Sequence, residues 1–143
     1  MVVEPDQVQT AELNAFLEDR IYEFNQQQTG YSDGRNFQSV IKDSSSEIIA
    51  AISGHTWGGC GYVTYLWVRE SHRHKGLGRR LLLAVEAEAL LRGCSQMLIY
   101  THSFQAPAFY EAMKYVQVAA VANYPRGHSQ LAYIKVLPHK SDA

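Results

Sequence analysis

The hydrophobic period of this chain changes abruptly at one point, and that switch limits its fold more than any other feature. Tyr62 to Val68 is β-branched and aromatic, the composition of a strand. From Arg79 to Arg92 apolar residues return every three or four, with Leu82, Val85 and Ala89 on one stripe and Leu81 and Leu90 widening it. That is the pattern of a helix. Between the two lies Arg73-His74-Lys75-Gly76-Leu77-Gly78. A helix start offers unpaired backbone N–H groups and the positive end of a dipole. Gly76 and Gly78 remove side chains that would block close approach, and Arg73, Lys75 and Arg79 add charge around the same point. Such a segment can hold a pyrophosphate without a metal.

The remaining elements are read the same way. Gln9 to Gln28 reads as an amphipathic helix, with Leu13, Phe16, Leu17, Ile21 and Phe24 at spacings of three and four. Thr10 or Asp6 could cap its start, and Gly30 suits a left-handed position at its end. Strands are expected over Phe37–Lys42 and Glu47–Trp57, with Gly54 a possible bulge. Gly93 should close the second helix, Met97–Thr101 should form a short strand, and Pro107 should open a third helix. Val116–Val121 and Gln130–Val136 read as a final pair of strands joined by Tyr124-Pro125-Arg126-Gly127. The sum is a mixed α/β or α+β single domain over 1–143, with Pro138 to Ala143 a frayed tail.

Composition removes several functions. The 13 Lys and Arg balance 14 Asp and Glu, which argues against a general nucleic-acid binder. Five of those 13 cations, Arg69, Arg73, Lys75, Arg79 and Arg80, nevertheless fall within one short stretch that holds only Glu70 in opposition. No apolar run spans a membrane, and Met1 to Asp6 lacks the start of a secretory signal, so a cytoplasmic protein is expected. Cys60 and Cys94 form no C-x-x-C and read as two small buried thiols. His72 and His74 are spaced H-x-H without an evident third ligand, and no metal is expected.

A bare R-x-x-G-x-G arises by chance in roughly one chain of this length in twenty to fifty, so its position after a strand and before a helix carries the weight. No G-x-x-x-x-G-K-[ST] occurs, and Gly76-Leu77-Gly78-Arg79-Arg80-Leu81 lacks the third glycine of a dinucleotide fingerprint. The segment Arg73 to Gly78 resembles the signature [Q/R]-x-x-G-x-[G/A] of the GCN5-related N-acetyltransferases, or GNAT family. Tyr65-Leu66-Trp67-Val68 resembles the family's fourth strand, Phe104 to Tyr110 its fifth-strand end and fourth helix, and Tyr124 to His128 the last hairpin of one bacterial subgroup.

The resemblance implies a mostly antiparallel mixed sheet, splayed between the family's fourth and fifth strands and flanked by helices. It implies acetyl transfer from acetyl-CoA to a primary amine of a small molecule or protein, by direct attack in a ternary complex. Backbone groups of Leu66, Trp67 and Val68 would pair with the pantetheine arm, Arg73, His74, Lys75, Gly76, Leu77, Gly78 and Arg79 would hold the pyrophosphate, and Gln105 would stand near the arm. Tyr110 would be the general acid on the leaving thiolate. A homodimer is common among such relatives. Two departures stand out: the family's first strand is reduced to Val2-Val3-Glu4, and its glycine before the sixth strand is Lys114, which must take a strained turn or a different one.

The chemistry also needs a base. An unperturbed lysine-like amine has a pKa of ~10.4, so about one in two thousand is neutral at pH 7. The family's usual strand glutamate is absent, Thr64 and Tyr65 standing there instead. His128 is the leading candidate, imidazole being the side-chain type suited to proton transfer near neutral pH, with His55, Glu23 and Asp33 as alternatives. Tyr31, Tyr65 and Tyr124 could line an acceptor pocket or pack ordinarily, and His102 and His139 carry no signal. The missing carboxylate also leaves open a non-catalytic acyl-CoA-binding or interaction module, or more remotely an ATP-binding one.

Overall fold

A computed structural model describes residues 10–138, in two compact units divided between Ser32 and Asp33. The expected first strand at Val2–Glu4, and the tail from His139 on, lie outside the described residues.

The first unit is helix α1 (Ala11–Thr29). Its start is fixed by Thr10, whose side chain accepts the Leu13 N–H at 3.2 Å. Its end is fixed by Gly30 at φ 77°, whose N–H reaches Gln26 O at 2.8 Å. The stripe Leu13, Phe16, Leu17, Ile21 and Phe24 stays exposed, and no residue of α1 is buried. The 3.6-residue period thus located the helix and its apolar side.

The second unit is a six-stranded sheet of order β1-β2-β3-β4-β6-β5. Strands β1 (Arg35–Lys42), β2 (Ile48–Trp57) and β3 (Cys60–Val68) form an antiparallel meander. Helix α2 (Leu77–Leu91) carries the chain to β4 (Gln96–His102), which runs parallel to β3. Helix α3 (Pro107–Ala112) precedes β5 (Val116–Ala122) and β6 (Ser129–Val136), and β6 inserts antiparallel between β4 and β5. Among the described helices none is long and apolar enough to cross a membrane.

The core forms where α2 covers one face of the sheet. Leu81, Leu82, Val85 and Ala89 bury against Ile52, Val63, Met97 and Tyr133. The backbone comes close here: a Cβ on Gly61 would run into Met97 and Ala89. Glu86 of α2 is buried too, and it is neutralised in place by Lys135 Nζ at 2.7 Å and the Tyr115 hydroxyl at 2.9 Å. α2 begins at Leu77, two residues before the expected Arg79, because Gly78 joins the first turn despite its poor helix propensity. Lys114 takes the left-handed turn that glycine would favour, at φ 74°. It donates its N–H to Glu111 O, and Tyr115 closes the turn on Tyr110 O at 2.9 Å.

The sheet divides in one place. β4 pairs with β6 along its whole length, Gln96 to His102, but with β3 only from Cys60 to Val63. Beyond Val63 the two parallel strands part and leave a wedge. An extra residue helps turn β3 away at this point. Ser53 opposes Tyr65 while Gly54 opposes Val63, so Thr64 is bulged. Gly54 permits this, because a Cβ there would collide with the Tyr62 carbonyl and the Phe37 ring.

Candidate functional site

The loop from β3 to α2 is a concave bed of backbone donors. A one-turn 3-10 helix, Glu70–His72, leads into extended Arg73, and His74 and Gly76 then adopt left-handed conformations at φ 62° and 82°. Such alternation converges successive N–H groups into an anion-binding nest. The first α2 hydrogen bond is donated by Arg80 to Gly76 O at 3.0 Å, and the helix has no side-chain cap. None of the N–H groups from His74 through Arg79 donates to another described residue. The two glycines differ in what they do. Gly76 has open space where a Cβ would be, so its requirement is the positive φ. Gly78 would accept a Cβ at ordinary contact with Phe109 and Val68.

Cations surround the nest without carboxylate partners. Among the described residues Arg73, Lys75, Arg79 and Arg80 make no ion pair. Arg73 Nε instead holds Val68 O at 3.0 Å, and Arg79 reaches Met113 Sδ at 3.6 Å. Arg69, the fifth cation of the cluster, is consumed by Glu47 at 3.3 Å and Asp43 at 3.8 Å. Four unneutralised charges beside unpaired N–H groups are what a diphosphate needs.

The wedge opens next to this nest. Arg69 donates its N–H to Ile49 O at 2.8 Å. Antiparallel strands direct backbone groups alternately to either side. The N–H and C=O of Leu66 and Val68 therefore point away from β2, into the wedge, and those of Trp67 face Ala51 of β2. With Val68 O taken by Arg73, the free groups are both of those on Leu66 and the Val68 N–H. They form a short unpaired strand edge of the kind that an extended chain can join. Gln105 closes the neighbouring strand: its Oε1 accepts the His102 N–H at 2.8 Å and lies 3.5 Å from the Thr101 hydroxyl.

Tyr110, on α3, is 5% exposed and packs its ring against Phe109, Tyr115 and Tyr133. Its two phenolic neighbours are committed, Tyr115 to Glu86 and Tyr133 to Glu111, both at 2.9 Å. The Tyr110 hydroxyl has no hydrogen-bond partner among the described residues, and it is not a sealed orphan, so its oxygen reaches accessible space. Burial pushes its pKa well above the ordinary phenol range. The group stays protonated, with a proton to give and no internal acceptor for it.

The base candidates separate by position. Asp33 accepts the Gly58 N–H at 3.0 Å and so holds the β2–β3 turn. His55 lies beside Tyr62, ring centroids 5.3 Å apart, near the same turn. Both sit at the end where β3 and β4 remain paired. Glu23 is taken by Arg20 at 2.7 Å within α1. His128 lies in the exposed loop between β5 and β6, edge-on to the Phe104 ring at 4.9 Å. Phe104 stacks on His102 at 5.5 Å, and Tyr124, at a cis peptide with Pro125, meets His102 edge-on at 5.4 Å. His102, which carried no signal in the sequence, is thus the centre of an aromatic group at the wedge end of β4. The only sequence hint was His-x-Phe at a strand terminus. Burial raises the pKa of both Cys60 and Cys94, which keeps them protonated rather than nucleophilic.

Comparison with known proteins follows the same lines. A model of the acetyltransferase (GNAT) family matches residues 6–115. An acetyltransferase of Agrobacterium fabrum is 30% identical over 122 residues, covering 85% of this chain and 89% of that protein. A blasticidin-S acetyltransferase of Streptomyces morookaense is 35% identical over 92 residues, 64% of this chain and 68% of that protein. The crystal structure of an acetyltransferase from Bacillus cereus superposes with a TM-score of 0.78 at 28% identity, covering 94% of this chain and 98% of that one.

Proposed function

This chain belongs to the acetyltransferase (GNAT) family, and on that premise we propose how its own residues carry acetyl from acetyl-CoA to an amine. The nest from Arg73 to Gly78, with Arg79, holds the pyrophosphate. The pantetheine arm lies along the free edge of Leu66 and Val68, and Gln105 fixes the β4 side of the wedge. A family match that crosses both units supports one acyltransferase domain.

The amine nitrogen attacks the thioester carbonyl carbon. A C–N bond forms, the C–S bond breaks, and the thiolate leaves with the bonding pair. Tyr110 gives that sulfur its proton, and the proton that the nitrogen sheds after attack, on becoming an amide, restores the phenol. The observation that carries this assignment is the Tyr110 hydroxyl, neutral at pH 7 as phenols are and unbonded while both neighbouring phenols are engaged. The attacking amine must lose its own proton, a deficit of roughly 4–5 kcal/mol at pH 7 for a lysine-like group. His128 takes it, directly or through water. It is the candidate that is neither paired nor placed at the closed end of the wedge.

The acceptor is a small amine rather than a protein, a reading supported by the similarity to an enzyme named for blasticidin S. The test is acetyl transfer to a panel of small amines, followed by thiol release. Tyr110→Phe should lower kcat by about 10- to 100-fold and leave the Kd for coenzyme A within about twofold. A fully active Tyr110→Phe enzyme would remove the acid from this residue.

A further inference from the structure

The two faces of the wedge differ in chemistry. Leu66 and Val68 pack toward the core, and Met97, Ile99 and Thr101 are buried on the same side as α2. Strand alternation sends the intervening side chains to the opposite face. There Tyr65 is 73% exposed, Trp67 48% and Tyr100 47%. At the end of β4 the same surface continues into His102, Phe104 and Tyr124, joined by the ring contacts above. These aromatics border the gap between β3 and β4, the gap that the acetyl group would occupy.

Among residues 33–138, unpartnered negative charge is scarce around this surface. Residues 33–138 contain seven carboxylates. Six already accept hydrogen bonds or ion pairs: Asp33, Asp43, Glu47, Glu86, Glu88 and Glu111. The seventh, Glu70, lies on the one-turn helix that leads into the anion nest. Free carboxylates are therefore scarce around the wedge in this unit: only Glu70 lacks a partner, and it stands between the cations Arg69 and Arg73. Ring faces, by contrast, attract flat apolar groups and a single cation.

We propose that this aromatic face selects the acceptor, and that the acceptor is a single amine carried on a flat aromatic group rather than a polyamine. The inference rests on the acetyl-transfer reading above. The experiment measures kcat/KM with acetyl-CoA and four acceptors: phenethylamine, spermidine, kanamycin and a lysine-containing peptide. Phenethylamine should exceed each of the others by about tenfold or more. Phe104→Ala and Tyr65→Ala should each raise KM for phenethylamine by about tenfold while the KM for acetyl-CoA stays constant. Phe104→Tyr, which keeps the ring, should restore the parent value and so separates recognition from damage to the fold. Preference for spermidine, kanamycin or the peptide would overturn the inference while leaving acetyl transfer in place. An unchanged phenethylamine KM in both alanine variants would overturn it equally. Coenzyme A binding without acetylation of any of the four amines would contradict the acetyl-transfer reading itself, and the inference with it.

Discussion

At the scale of single residues, the anion loop gives its two glycines different duties. Gly76 is needed for its backbone, at φ 82° with nothing near its missing Cβ. Gly78 sits in helical backbone where a methyl group would make ordinary contacts. Glycine in a helix costs roughly 0.5–1 kcal/mol against alanine, and a non-glycine residue in left-handed backbone costs about 1–2 kcal/mol. Gly78→Ala should therefore raise the stability of the ligand-free protein by about 0.5 kcal/mol or more, and Gly76→Ala should lower it by about 1 kcal/mol. Chemical denaturation of the two variants side by side gives the signs, and a shared sign would contradict the division. The R-x-x-G-x-G spacing was enough to find this loop in the sequence. It could not show that Arg69 is spent on Asp43 and Glu47, because those partners arrive from a different hairpin.

Residue chemistry also sets a pH dependence. Desolvation holds the phenols of Tyr110 and Tyr115 above their ordinary range, and Glu86 adds to the effect on Tyr115. In the unfolded chain both ionise near pH ~10, but in the folded chain they remain neutral there. A raised pKa stabilises the fold fully below the unfolded value, and that stability is lost as pH rises past it. Urea midpoints should accordingly decline gently above about pH 8.5, where the thiols of Cys60 and Cys94, also raised by burial, begin to contribute, and more steeply above about pH 10. In Tyr110→Phe the alkaline fall should be shallower, and an equal or steeper fall would place the effect elsewhere.

At the scale of elements, the wedge depends on a bulge that is itself held by a glycine. The sequence suggested irregularity at Gly54 but not its consequence, since the extra residue is Thr64 on the partner strand. Register across strands is a pairing property, and no local pattern contains it. Gly54→Ala should destabilise the protein by about 1–3 kcal/mol, because the added methyl group meets a carbonyl and a ring rather than a flexible chain end. Thermal unfolding reads this directly, and an unshifted Tm would mean that the strands can part without a glycine there. Element positions were otherwise legible to within a few residues, from Pro107 at the start of α3 to Gly93 after α2. Helix α1 was legible too, from its cap at Thr10 to Gly30. Its apolar spacing is genuine, yet Phe16, Ile21 and Phe24 all remain more than half exposed.

At the scale of the whole molecule, charge is placed rather than abundant. A chain with 13 fixed cations and 14 fixed anions carries, among the described residues, four cations without an ion pair at one helix start and ties most of the carboxylates of its sheet unit into structural bonds. The fold family and the loop proposed to hold the diphosphate were readable because both depend on local order: strand, glycines, helix. The proposed acceptor face was readable only in part: the sequence offered Tyr65 and Tyr124, and Tyr100 and Phe104 join them only through the parting of β3 and β4 and the last hairpin. Binding of a diphosphate to a cationic nest should weaken with salt, so the Kd for coenzyme A should rise several-fold between about 50 and 500 mM sodium chloride. As proposed, catalysis falls to Tyr110 on α3 and cofactor binding to Arg73 through Arg79, so the two can be tested apart. The most direct test of the account is therefore the calorimetric affinity for coenzyme A of a folded Gly76→Asp variant, which puts a carboxylate into the nest. The account predicts no measurable binding at concentrations that saturate the parent protein; an unchanged Kd would contradict it.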